Sequence, residues 1–125
     1  MTGEVENCGD RPMPYAFGFH PGFVWPLSGQ RDGHAVLFDQ EERPDVPVIA
    51  PGGLFGEELR PVPLEGRRLP LNDALFAREA LCFLNAASRA LRYRAPDGSG
   101  LRFDLEDCPH LALWSKPGAP FLCVE

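Results

Sequence analysis

Proline and glycine interrupt this chain at more than one position in five, with 14 Pro and 13 Gly in 125 residues, nearly twice ordinary usage. Proline has no backbone N–H to donate and glycine has no Cβ to restrain it, so this spacing favours short strands and many turns over long helices. The expectation is a β-rich fold. A length of 125 residues predicts one domain, spanning residues 1–125, with room for a single core.

An apolar fraction of 44% and a charged fraction of 24% describe a globular chain rather than a disordered one. The net charge of −6 and the single lysine, Lys116, argue against nucleic acid, whose phosphates demand clustered Lys and Arg. The polar start MTGEVENCGD and the lack of any apolar run near 18 residues argue against a membrane span. The expected home is the cytoplasm. Cys8, Cys82, Cys108 and Cys123 show no CxxC pair and no nearby ligand cluster, so the expectation is reduced thiols and no metal. Cys82 and Cys123, inside apolar runs, read as small core residues.

Along the chain, Tyr15, Phe17, Phe19, Phe23 and Trp25 alternate with period two and are broken by Pro21 and Gly22, which predicts a strand that bends at His20. A second strand is expected over Ala35 to Asp39. Residues 40–70 are rich in proline, glycine and acid, and read as a long irregular excursion. In 72–87 the apolar spacing suits a helix, although Leu81 and Phe83 would also share one face of a strand. Leu91 and Tyr93, then Leu101, Phe103 and Leu105, alternate with charged residues around Pro96-Asp97-Gly98, which predicts a hairpin. HLALW (110–114) and FLCV (121–124) predict two more strands. The total is six or seven strands, mostly antiparallel, in a β-sandwich. With the last strand running to Glu125, an incomplete sheet is expected.

Single histidines are weak signals, and His34 and His110 are assigned to solvent or local hydrogen bonds. His20 differs in its setting of Gly18, Pro21 and Gly22, where backbone and ligand can approach closely. Glu125 ends an apolar strand, where desolvation can raise its pKa toward that of a usable base. On spacing alone a plain charged chain terminus is the better explanation. Trp114 opens WSKPGAPF, an aromatic face followed by one ammonium group; such faces stack on sugar rings, and Trp114 could equally be core.

Three segments, GDRPMPYAFGFHPGFVWPL after Asn7, RRLPLNDALF, and LALWSKPGAPFLCVE, together resemble the aldose 1-epimerase family, particularly its LacX-like branch. GFHPGF and FLCVE are the most specific motifs. The resemblance implies a galactose mutarotase-like supersandwich of antiparallel sheets, here partial, and makes LFAREALCF an extended connection into a strand rather than a helix. It implies interconversion of the α and β anomers of a hexose without a cofactor. Glu125 would take the proton of the anomeric hydroxyl, and His20 would protonate the ring oxygen. Glu79 occupies the place of a sugar-binding acid, although the family's usual residue there is Asp. Trp114, Trp25 and Lys116 complete the expected substrate contacts. The expected partner is a monosaccharide, an aldohexose that a phosphate could extend toward Arg67, Arg68, Arg89 or Lys116. The family also carries upstream sugar contacts that this chain lacks, so dimerisation or pairing with a missing N-terminal half is expected. The alternatives are a non-catalytic carbohydrate-binding module and an inactive fragment.

Overall fold

Short apolar runs cut by turn residues give ten strands and one 3₁₀ turn in a computed structural model that describes residues 3–125; Met1 and Thr2 of the polar N-terminal stretch lie outside it. In chain order the strands are β1 (Gly22–Val24), β2 (Ala35–Phe38), β3 (Asp45–Ile49), β4 (Phe55–Pro61), β5 (Arg68–Pro70), β6 (Leu81–Phe83), β7 (Ala90–Arg94), β8 (Gly100–Asp104), β9 (Leu111–Trp114) and β10 (Phe121–Val124). The 3₁₀ turn, Asp73–Phe76, precedes β6 and is capped by the Asn72 side chain, which accepts from the Leu75 N–H. The chain is all-β, and every strand pair is antiparallel.

Two four-stranded sheets, ordered β1-β10-β9-β6 and β5-β2-β7-β8, share one core, and β3-β4 forms a separate hairpin. Period-two alternation decides which residues enter that core. From the first sheet come Phe23, Leu81, Phe83, Leu111, Leu113, Leu122 and Val124, and from the second Val36, Phe38, Leu69, Leu91 and Tyr93. Full burial of each such side chain is worth about 1.5–3 kcal/mol. The opposite face of the second sheet is wet: Leu37, Arg92 and Arg102 are aligned across β2, β7 and β8.

The predicted hairpin is present as β7 and β8, with Gly98 at φ 91° in its turn, and the last two predicted strands are β9 and β10. Three expectations need correction. The strand expected from Tyr15 shrinks to Gly22–Val24, because Pro21 cannot donate and only the four residues of β10 offer a partner; Tyr15 and Phe17 are exposed. Residues 40–70 are not irregular but hold β3, β4 and β5. Pro47 is accommodated beside a register shift between Pro47 and Ile49 on the two-stranded hairpin. The 72–87 segment is no helix beyond its single 3₁₀ turn, since the inward pair Leu81 and Phe83 follows strand spacing against β9.

Candidate functional site

The site is assembled by strand register. Gly22 lies opposite Cys123, and the Val124 N–H donates to the Pro21 carbonyl at 3.3 Å. Continuing that antiparallel ladder two residues outward brings His20 against Glu125. Glu125 is fixed from its other side by paired backbone bonds with Ala112, at 2.8 and 2.9 Å. Alternation then sets Phe121 and Cys123 of β10, Glu125 just beyond it, and Ala112 and Trp114 of β9 on the face turned away from the core.

On that face His20 Nε2 lies 3.1 Å from Glu125 Oε1. The angle does not make it a hydrogen bond, and Oε1 is enclosed without an aligned donor. Burial pushes the Glu125 carboxyl above its ordinary value, with the neighbouring His20 drawing it partly back down. The Glu125 side chain is 22% exposed and that of His20 63%, so His20 is the solvent-facing member of the pair. Trp114 meets His20 edge-on at 6.3 Å between ring centroids and packs against Phe121 at 5.4 Å. Beside the pair opens a groove of about 710 Å³, bordered by Phe17, His20, Asp104, His110 and Glu125. Trp114 is outside the groove, so His20 and Glu125 stand where the groove meets the aromatic wall.

The other candidates fare differently. Trp25 is 0% exposed, lies edge-on to Phe76 at 6.1 Å and carries the Arg31 guanidinium 3.6 Å over its ring. It is a core residue with no surface to offer a sugar. Lys116 is exposed in the turn between β9 and β10, outside the groove. Glu79 is exposed at φ 66°, and it is its backbone carbonyl that is engaged, by Arg60 Nη2 at 2.9 Å. Arg67 and Arg89 donate to the Asp39 and Ala86 carbonyls, and Arg68 pairs with Glu65.

His34 is fully buried and takes the local hydrogen bonds expected as its alternative to solvent: Nε2 accepts from the Leu27 N–H, which leaves the proton on Nδ1 to donate to the Arg31 carbonyl. His110 is exposed, accepts from the Asn85 N–H and borders the groove. Two further participants escape sequence reasoning. Cys123 is buried, as its apolar neighbours predict, and the alternation of FLCVE sets it on the Glu125 face. Arg60, 7% exposed, donates to the carbonyls of Leu75, Glu79 and Ala80 and so shapes the entry to β6.

No family model matches the chain. Two proteins of Lactococcus lactis subsp. lactis, the plasmid and chromosomal forms of Protein LacX, are each 34% identical to it over 122 residues, covering 93% of this chain and 41% of theirs. The chain therefore spans about two fifths of the length of these curated relatives. A galactose mutarotase-like protein from Lactobacillus casei ATCC 334, known from a crystal structure, matches with a TM-score of 0.71 at 25% identity, over 84% of this chain and 38% of its own. By sequence the chain is similar to the LacX proteins, and by fold it is galactose mutarotase-like.

Proposed function

We propose that residues 1–125 are part of an aldose 1-epimerase domain in which Glu125 and His20 interconvert the anomers of a free hexose. The observation that carries this reading is the contact of a desolvated carboxylate with an exposed imidazole at 3.1 Å, beside the aromatic wall of Trp114 and Phe121. The anomeric hydroxyl and the ring oxygen share one carbon, so an acid and a base that are neighbours suit this reaction.

In the forward step Glu125 accepts the proton of the anomeric hydroxyl as the C1–O5 bond breaks, and protonated His20 delivers its proton to O5. The C1 aldehyde rotates. Closure on the other face reverses both transfers, so each group ends as it began and no cofactor is consumed. Because the arginines proposed for a phosphate are engaged elsewhere, the reading favours a neutral sugar. It also carries a cytoplasmic home, in which thiols stay reduced; titration of the unfolded chain is expected to find four free groups, at Cys8, Cys82, Cys108 and Cys123.

The decisive experiment is anomer exchange, by polarimetry or exchange NMR, in a longer version spanning the full length of the relatives. Glu125→Gln keeps the shape and removes the proton acceptor, and is expected to lower the rate by about 10²- to 10⁴-fold. A Gln variant as fast as its parent removes Glu125 as the base.

A further inference from the structure

The same strand register that pairs His20 with Glu125 adds a third donor of a different kind. A donor atom of each of His20, Cys123 and Glu125 lies within 4.8 Å of the other two. The linear spacing argument against a metal looks for ligands close in sequence, and antiparallel pairing bypasses it by joining an N-terminal residue to the C-terminal strand. Tetrahedral zinc bonds of about 2.0–2.3 Å set neighbouring ligand atoms about 3.3–3.6 Å apart. His20 Nε2 and Glu125 Oε1, 3.1 Å apart, already stand at about that spacing, so the separation that has to shorten is the one to the sulfur of the buried Cys123, at most 4.8 Å.

We propose that His20, Cys123 and Glu125 form a binding site for a thiophilic divalent cation, Zn²⁺ foremost, with one coordination position left for water. The donor set selects the metal. A thiolate and an imidazole favour zinc over magnesium or calcium, which take oxygen ligands, and three protein donors are the number found at open zinc sites. Glu125 Oε1, enclosed and without an aligned donor, would gain the cation as its partner. Binding proceeds as the Cys123 thiol loses its proton to the buffer and the S–Zn bond forms. The coordination rests on the geometry alone. Its consequence rests on the mutarotase reading: zinc occupies the proposed acid and base together, so the metal and the ring-opening reaction exclude one another.

The test is calorimetric titration of the full chain with ZnCl₂, without sugar, in a Cys8→Ser, Cys108→Ser background that removes the competing thiols. One zinc per chain is expected, with a heat that changes with the ionisation enthalpy of the buffer because a proton is released. Cobalt in place of zinc is expected to give a thiolate charge-transfer band that Cys123→Ser abolishes. His20→Ala, at an exposed position that leaves the core untouched, is expected to weaken binding by about a hundredfold or more, since even orienting partners of zinc ligands cost about 10- to 100-fold. Absence of stoichiometric binding overturns the site, as does binding unchanged in both His20→Ala and Cys123→Ser. Because the titration contains no sugar, failure of the mutarotase reading leaves this result standing, and the converse also holds.

Discussion

In the proposed site Trp114 would give a sugar the flat apolar partner that stacking requires, since it lies between His20 and Phe121, beside the proposed acid–base pair. Stacking of this kind is worth about 0.5–1.5 kcal/mol. In a longer version that turns over sugar, Trp114→Ala is therefore expected to raise KM about two- to twelvefold while kcat changes less, as for a contact made equally in ground and transition states. A variant whose kcat falls a hundredfold at constant KM would show Trp114 to be positioning His20 instead. Local marks single out His20 between glycines and proline, and Glu125 and Trp114 at the ends of apolar strands, but their proposed roles come from the family resemblance; strand pairing is what brings His20 and Glu125 together. Trp25 was misread because an aromatic in a period-two run can face either way, and only the cation over its ring and the core around it decide. Cys123 was hidden by the same ambiguity, since its face depends on pairing with β1 and β9.

At the scale of elements, buried and exposed charge act with different weight. Arg60 holds the end of the 3₁₀ turn and the start of β6 through three carbonyls at 2.9–3.1 Å. Arg60→Met leaves those acceptors unpaired, and is expected to destabilise by about 3 kcal/mol, measured as a lowered urea midpoint. Arg78, on an exposed bond to Glu58, is the contrast: Arg78→Met is expected to cost at most about 1 kcal/mol. Equal losses would mean that the Arg60 clamp contributes no more than a surface pair. In the β7–β8 turn, bonds from Ser28 and Ser99 hold the exposed Asp97 carboxyl down at about 2, from an ordinary 3.8. A depressed carboxylate stabilises the fold above its unfolded pKa and loses that contribution as pH falls through the folded one. The stability gap between the parent and Asp97→Asn is thus expected to be level above pH 3.8 and to close toward pH 2, in urea titrations at stepped pH. The hairpin of this turn was readable in advance because turn chemistry and alternation agreed. Residues 40–70 were not, because their prolines mark an edge hairpin as readily as a loop, and only the partner strand separates the two.

The whole molecule presents a site bounded on few sides. β1 and β6 form the two edges of the site-bearing sheet, and Val24, Tyr15, Phe17, Leu54, Phe55 and Leu59 lie open to solvent, apolar surface of the kind that neighbouring protein covers. The chain spans 41% of the length of its curated relatives, and the groove beside His20 is walled by the segment before β1 and by β8 with the loop that follows it. A hexose bound as proposed would be held from few directions and keep much of its rotational freedom, and misplacement of a reacting atom by about 1 Å costs about a hundredfold in rate. The expected outcome is that the 125-residue chain accelerates mutarotation weakly or not at all, whereas a version extended to the relatives' full length is active and depends on both Glu125 and His20. Polarimetry of the two proteins at equal concentration makes the comparison, with circular dichroism confirming that the short chain retains its β structure. A folded short chain with the full activity of the extended one would show that the His20–Glu125 pair and its aromatic wall suffice, and that the missing enclosure plays no part in the rate.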